Sequence, residues 1–126
     1  MSKKTVVYFE DDNDMVELVR IILNREDYQV RGVSDGLTGI QLIQETLPDA
    51  ILLDLMLPDM DGWEIFRQLK NDPTTAGIPV IVITAKAQSI DKVLGLEIAK
   101  VDDYISKPFR PNELIERINK ILAVEE

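Results

Sequence analysis

Residues 49–62 read Asp-Ala-Ile-Leu-Leu-Asp-Leu-Met-Leu-Pro-Asp-Met-Asp-Gly, and the fold is inferred outward from this stretch. Its central residue is Asp54, which follows the apolar residues 51–53 and precedes the apolar residues 55–57. An ionised carboxylate in such a run costs free energy to bury unless another group compensates its charge. Asp54 is therefore either an ordinary strand-end aspartate that fixes the next loop or a reactive carboxylate. The rest of the chain decides between these two interpretations.

The composition restricts the class of protein. The chain has 126 residues, which suits one domain, and it is 45% hydrophobic and 29% charged, as folded globular proteins are. Its formal charge of −9 argues against direct binding of nucleic acid or of anionic membranes. Cysteine and histidine are absent, so any metal must bind to oxygen, as Mg²⁺, Mn²⁺ and Ca²⁺ do. No apolar run suits a signal peptide or a membrane span, and we expect a cytoplasmic protein.

Strand-like and helix-like segments alternate five times along the chain. Short apolar runs predict strands at 5–9, 28–33, 50–53, 79–84 and 102–106. Apolar residues at helical spacing predict three helices at 37–47, 62–71 and 89–99. They also predict a first helix that begins at residue 14 and a last helix that begins at residue 111. Asn13 or Asp14 is expected to cap the first helix. This alternation predicts an α/β fold, a parallel sheet with helices on both faces.

The same spacing predicts which side chains of the first two helices face the core. For the first helix they are Met15, Leu18, Val19, Ile22 and Leu23. For the second helix they are Leu37, Ile40, Ile43 and Leu47, with Pro48 closing the helix.

Polar residues stand where four of the predicted strands end. They are Glu10 and Asp11, Asp54, Thr84 and Lys107. The carboxyl ends of parallel strands meet at one edge, where such sheets bind ligands. Three carboxylates about 4 Å apart would repel by about 4 kcal/mol per pair at an effective dielectric of 20, a cost that a divalent cation removes. A carboxylate beside Mg²⁺, an ammonium and a hydroxyl indicates that Asp54 accepts a phosphoryl group.

Four motifs agree in order and spacing with one known family. They are Phe-Glu-Asp-Asp at 9–12, Leu-Asp-Leu-Met-Leu-Pro-Asp-Met-Asp-Gly at 53–62, Ile-Thr-Ala at 83–85 and Asp-Asp-Tyr-Ile-Ser-Lys-Pro-Phe at 102–109. Over nearly all of its length the chain resembles the receiver domain of bacterial two-component response regulators. The resemblance implies a flavodoxin-like receiver fold with strand order 2-1-3-4-5. Since 126 residues leave no room for a second module, residues 1–126 are expected to be a single receiver domain without an output domain, either standing alone or cut from a longer regulator.

The resemblance implies roles for residues at matching positions. Asp54 would be the phosphoacceptor. Asp11 would bind Mg²⁺ directly, with Mn²⁺ as a possible substitute, and Glu10 would assist through water. Met56 would offer its backbone carbonyl to the metal. Lys107 would pair with the phosphoryl group.

The resemblance also implies the parts that respond to phosphorylation. Thr84 would be the switch hydroxyl and Tyr104 the switch aromatic residue. The peptide bond between Lys107 and Pro108 would be cis, which proline permits. Met56 and Lys86 stand at the positions that tune the lifetime of the phosphate in this family.

The partners implied are those of a signalling switch. The phosphoryl group would come from a sensor histidine kinase, a histidine phosphotransfer protein or a small donor such as acetyl phosphate, and a downstream effector would read the result. The domain would catalyse its own phosphorylation and slow dephosphorylation without being a turnover enzyme. The face formed by the fourth and last predicted helices and the fifth strand is either a solvated charged surface or a phosphorylation-promoted dimer contact. Its charged residues are Lys92, Glu97, Asp102, Asp103 and Arg117.

Some features depart from the family pattern or stay open. The segment before Tyr104 is one residue longer than expected and has Lys-Val at 100–101 where Gly-Ala is usual. Asp12 is either a plain helix-start acid or part of the site. Asp59 and Asp61 are interpreted as loop residues.

Three other classes of protein compete with the receiver interpretation. A haloacid dehalogenase-type phosphatase would need a second aspartate where Met56 stands. An FMN carrier would need a phosphate-binding loop after the first strand, where this chain has acids. A degenerate receiver that serves only as a binding module is the alternative function, and the intact Asp11, Asp54, Thr84 and Lys107 argue against it.

Overall fold

The computed structural model describes residues 3–85 and 101–122. Within these ranges the chain forms five strands and four helices. In chain order they are β1 (Lys4–Phe9), α1 (Asn13–Asn24), β2 (Tyr28–Val33), α2 (Gly36–Thr46), β3 (Ala50–Asp54), α3 (Gly62–Asn71), β4 (Val80–Thr84), β5 (Asp103–Ser106) and α4 (Pro111–Leu122). The helix predicted at 89–99 lies outside the described residues.

The described strands form one parallel sheet in the order β2-β1-β3-β4-β5. This confirms both the predicted fold class and the predicted strand order. Every residue of β3 and β4 is buried, because each of these strands has neighbours on both sides and helices cover the sheet. The two edge strands also carry exposed residues.

Alternate residues of the strands pack into two separate cores. On one face, Tyr8 and Leu52 join the buried side chains of α1 and α4. On the other face, Phe9 and Leu53 join those of α2 and α3. This division follows from the two-residue period of a strand. In the part of the chain that the structure describes, no helix is long and apolar enough to cross a membrane.

The start of α1 differs from the prediction. Asp12, rather than Asn13 or Asp14, caps the helix, because its side chain accepts hydrogen bonds from the backbone N–H groups of Asp14 and Met15. The predicted inward face is also wrong at Leu18, which is 46% exposed, whereas Val16 is buried. This contact agrees with the interpretation of Asp12 as a helix-start acid.

The inward face of α2 is partly wrong as well. Leu37 is 58% and Leu47 is 53% exposed, whereas Ile40 and Ile43 are buried as predicted. Leu47 follows the helix as its C-cap with a left-handed φ of 47°, and this conformation ends the helix before Pro48. Two buried glycines also belong to the inner surface of α2: Gly39 lies against the ring of Phe9 in β1, and Gly36 lies against Ile65.

Gly39 allows α2 to approach the sheet, and Gly39→Ala is expected to destabilise the protein. A Cβ at this position would lie 2.1 Å from Cε2 of the buried Phe9 ring. Overpacking of a rigid core costs about 1–3 kcal/mol, which is at least the gain of about 1 kcal/mol from helix propensity. Urea unfolding should therefore show a lower midpoint than for Gly77→Ala, since nothing lies within 4 Å of a Cβ at Gly77. Equal midpoints for the two variants would contradict this account.

Candidate functional site

The carboxyl ends of four adjacent strands place the predicted residues at one edge of the sheet. Glu10 directly follows β1, Asp54 ends β3, Thr84 ends β4 and Lys107 directly follows β5. Because β1, β3, β4 and β5 are consecutive neighbours in the sheet, these residues come from adjoining positions. Asp54 pairs in register with Ile83, so Thr84 stands one residue beyond that pair.

Lys107 connects two of the predicted acids. Its Nζ donates to Asp54 Oδ2 over 2.8 Å and also donates to Glu10 Oε1. Asp54 is 4% and Glu10 is 2% exposed, so both carboxylates are removed from water. The buried charge at Asp54 that the sequence left uncompensated is therefore paired with an ammonium group.

The pKa values of Glu10 and Lys107 both depart from their usual values at this buried site. Burial, with a smaller contribution from the charge of Asp54, raises the pKa of Glu10 above its usual value, although Lys107 offsets part of the shift. Burial alone would lower the pKa of Lys107, but its hydrogen bonds to Asp54 and Glu10 outweigh that effect and hold the pKa above its usual value. Lys107 consequently carries a positive charge at neutral pH.

The second oxygen of Asp54 is held by the loop that follows it. Asp54 Oδ1 accepts a hydrogen bond from the backbone N–H of Met56 over 2.9 Å. Gly62 closes this loop, because its N–H donates to the carbonyl of Leu55 and a Cβ at Gly62 would lie 2.5 Å from the Leu55 Cα. The Met56 side chain itself is 51% exposed. The loop therefore fixes the orientation of the Asp54 carboxylate.

Glu10 has two further donors that sequence reasoning missed. The phenol of Tyr8 donates to Glu10 Oε1 over 3.0 Å, and the backbone N–H of Asp12 donates to Glu10 Oε2 over 3.2 Å. Burial, more than the neighbouring charge of Glu10, raises the pKa of Tyr8, so the phenol keeps its proton. The signal in the sequence was a tyrosine two residues before an acid, since such residues share one face of a strand.

The acids are arranged differently from the expected convergence of three carboxylates. Asp11 is exposed, and Lys107 bridges the buried pair Glu10 and Asp54. Among residues 3–85 and 101–122, no three acidic side chains are gathered closely enough to hold a metal ion by themselves. Mg²⁺ nevertheless fits the donors present, because it prefers oxygen and is usually held by one or two carboxylates together with water.

The residues predicted to switch are placed as follows. Thr84 is 1% exposed, and its carbonyl accepts a hydrogen bond from the backbone N–H of Lys107 over 2.9 Å. Tyr104 lies in β5 and is 40% exposed. The peptide bond between Lys107 and Pro108 is cis, which confirms the form that the resemblance implied.

The acids of the loop before α3 have structural partners. Asp59 accepts from the backbone N–H of Gly36 at 3.0 and 3.1 Å. Asp61 caps α3 by accepting from the backbone N–H of Trp63. Both findings agree with their interpretation as loop residues.

Three charged residues of the predicted dimer face lie among the described residues, and two of them, Arg117 and Asp103, contact each other. Arg117 donates to Asp103 Oδ1 over 2.6 Å and to the carbonyl of Tyr104 over 3.2 Å. Asp102 accepts from the backbone N–H of Val80 over 2.8 Å. The remaining predictions for this region, at Lys86, Lys92, Glu97 and Lys100, lie outside the described residues. The dimer stays a prediction.

The parallel sheet, together with the acids and the lysine at the carboxyl ends of its strands, defines a class of protein. Residues 6–119 match the family described as the response regulator receiver domain. The chain belongs to this family, and response regulators are signalling proteins.

Comparison with known proteins places the chain among response regulators. It is 39% identical over 116 residues to the DNA-binding response regulator MtrA of Mycolicibacterium paratuberculosis, covering 92% of this chain and 50% of that protein. It is 40% identical over 123 residues to the transcriptional regulatory protein CseB of Streptomyces avermitilis, covering 97% of this chain and 51% of that protein. The chain thus spans about half the length of the curated relatives it matches.

Solved structures share the fold. The CheY-like receiver domain protein of Methanospirillum hungatei has a TM-score of 0.86 and 30% identity, covering 97% of this chain and 95% of that one. The receiver domain of the sensor histidine kinase PA1611 of Pseudomonas aeruginosa has a TM-score of 0.87 and 27% identity, covering 97% and 99%. The latter structure has a magnesium ion coordinated in its active-site cleft.

Proposed function

We propose that this receiver domain accepts a phosphoryl group on Asp54 from the phosphohistidine of a sensor histidine kinase or a histidine phosphotransfer protein. The observation that carries the proposal is the buried Asp54 carboxylate at the carboxyl end of β3, hydrogen-bonded to Lys107 and to the N–H of Met56. A carboxylate is a nucleophile that forms acyl phosphates. The same chemistry allows a small donor such as acetyl phosphate.

The transfer is a single displacement at phosphorus. An oxygen of Asp54 forms the new O–P bond while the N–P bond to the donor histidine breaks, and the imidazole keeps that electron pair and takes up a proton. Lys107 lies 2.8 Å from Asp54 Oδ2 before the reaction, so its ammonium can follow the charge onto the phosphoryl oxygens. The backbone of Met56 holds Asp54 in orientation during the step.

The proposed metal site uses the oxygens around Asp54. Asp11, Asp54 and the carbonyl of Met56 would hold Mg²⁺, or Mn²⁺, with Glu10 assisting through water. The bound cation would supply positive charge that lowers the repulsion between the carboxylates and an incoming phosphate. The oxygen-only donors of this chain and the magnesium in the related PA1611 receiver structure support this assignment.

The proposed output is a change in the population of two conformations. The added charge at Asp54 favours a state in which Thr84 moves towards the phosphoryl group and Tyr104 changes its exposure. The burial of Thr84 and the 40% exposure of Tyr104 are compatible with this switch. We therefore propose a switch rather than a turnover enzyme, located in the cytoplasm and read by a downstream effector. DNA binding by its relatives is not assigned to this receiver domain itself.

Removal of the metal tests the proposed reaction. With acetyl phosphate and Mg²⁺, intact-protein mass spectrometry is expected to show the gain of one phosphoryl group. With a chelator in excess the gain should disappear, because the carboxylates of the site repel the donor phosphate when no cation offsets their charge. Adding Mg²⁺ beyond the chelator should restore it. Uptake that is equal with and without the metal would contradict the proposal.

A further inference from the structure

Tyr8 is a buried phenol to which the proposed reaction gives no role. The residue lies in β1 within the core under α1 and α4, and it is 0% exposed. Its hydroxyl donates to Glu10 Oε1 over 3.0 Å. A phenol costs free energy to bury unless it has such a partner. Tyr8 therefore both packs in the core and supplies a hydrogen-bond donor to Glu10.

Glu10 connects Tyr8 to the acceptor residue. Its Oε1 accepts from both Tyr8 and Lys107, and Lys107 in turn donates to Asp54 Oδ2 over 2.8 Å. Its Oε2 accepts from the backbone N–H of Asp12. A continuous series of hydrogen bonds thus runs from the phenol through Glu10 and Lys107 to Asp54.

We propose that Tyr8 is a positioning residue that keeps Glu10 in place when Lys107 turns from Glu10 to the phosphoryl group on Asp54. This inference rests on the proposed function. With 2% of its surface exposed, Glu10 cannot readily replace a lost donor by water from the bulk solvent. With Tyr8 present, Glu10 keeps the phenol and the Asp12 N–H after Lys107 has turned away. Without the phenol, that movement leaves the buried carboxylate with the backbone donor and the water through which Glu10 would assist Mg²⁺.

Two tyrosine variants separate this role from general stability. Tyr8→Phe removes the donor to Glu10. Tyr28→Phe is the matched control, because Tyr28 is also buried and its hydroxyl donates to Asn119 Oδ1 over 2.6 Å, away from the acids. The initial rate of phosphoryl uptake from acetyl phosphate with Mg²⁺ should fall about tenfold in Tyr8→Phe, as expected for one hydrogen bond to a charged group. The rate of Tyr28→Phe should equal that of the wild type.

A spectroscopic measurement tests the hydrogen-bonded connection from Tyr8 through Glu10 to Lys107 without any phosphorylation. The chain has three tyrosines, so a protein labelled with ¹³C at the tyrosine Cζ gives three resonances. Tyr28→Phe and Tyr104→Phe identify the Tyr8 signal by elimination, which requires no Tyr8 variant. In metal-free protein, Lys107→Met should shift the Tyr8 signal and leave the Tyr28 signal in place, because Tyr8 and Lys107 share Glu10 Oε1.

The outcomes distinguish the two proposals. If the wild type takes up phosphoryl groups and Tyr8→Phe does so at the same rate, the positioning role is overturned and the proposed function stands. If the wild type takes up none, the proposed function fails. The positioning role then falls with it. Where the wild type is phosphorylated, a shift of the Tyr8 signal in Lys107→Met supports the contact through Glu10, and an unmoved signal overturns the positioning role.

Discussion

Asp54→Asn is expected to take up no phosphoryl group from acetyl phosphate and Mg²⁺ under conditions that phosphorylate the wild type fully. The amide oxygen can still accept from the N–H of Met56, so the loop stays in place. The amide is not a carboxylate nucleophile, however, and no acyl phosphate can form. Intact-protein mass spectrometry measures the result directly.

Asp59→Asn is the matched control for this experiment. Asp59 lies in the same loop and accepts from the backbone N–H of Gly36, a contact that an asparagine oxygen can also make. Its uptake should match the wild type. A phosphoryl group that persists in Asp54→Asn would exclude Asp54 as the acceptor, and equal loss in both variants would contradict the expected specificity for position 54.

Lys107→Met is expected to lower the free energy of unfolding of the metal-free protein by about 3 kcal/mol, since removing one partner of a buried ion pair leaves an uncompensated charge. The Lys107 side chain is only 17% exposed and serves two carboxylates that are almost fully buried. Urea unfolding at neutral pH measures the change. Mg²⁺ should restore part of the loss, because a cation bound to these acids again compensates their charge.

Lys120→Met controls for the loss of a positive charge. Lys120 is exposed on the last turn of α4, where a cation contributes only a few tenths of a kcal/mol through the helix dipole, up to about 1 kcal/mol. Its unfolding midpoint should lie close to that of the wild type. If Lys107→Met were no less stable than Lys120→Met, Lys107 could not be the main compensating charge of the site.

The sequence predicted the sheet better than the helix faces. Strands β2 and β3 and helix α3 are found within one residue of their predicted bounds, because Gly62, Pro48 and the runs of Val, Ile and Leu leave few alternatives. Leu18 and Leu37 failed as core residues because each helix is rotated so that other residues face the core, Val16 in α1 and Gly39 in α2. Gly39 against the ring of Phe9 decided that rotation in α2, and no periodicity of apolar residues reveals such a contact.

The candidate site was predicted by position but not by its contacts. Strand ends indicated that Glu10, Asp54, Thr84 and Lys107 would share one edge of the sheet, and the described structure places them at adjoining strand ends. The sequence could not show that Lys107 bridges two acids or that Tyr8 completes the shell of Glu10, because these contacts depend on side-chain orientation.

Locating the phosphoryl group on the chain tests the central claim most directly. Borohydride reduces the carbonyl carbon of an acyl phosphate to an alcohol and leaves free carboxylates unchanged, so a phosphorylated aspartate becomes homoserine. After phosphorylation with Mg²⁺, reduction and proteolysis, peptide mass spectrometry should find homoserine at position 54 and aspartate at positions 11, 12, 59 and 61. Homoserine at one of those positions in place of 54, or a phosphoryl group that survives reduction, would contradict the assignment of Asp54 as the acceptor.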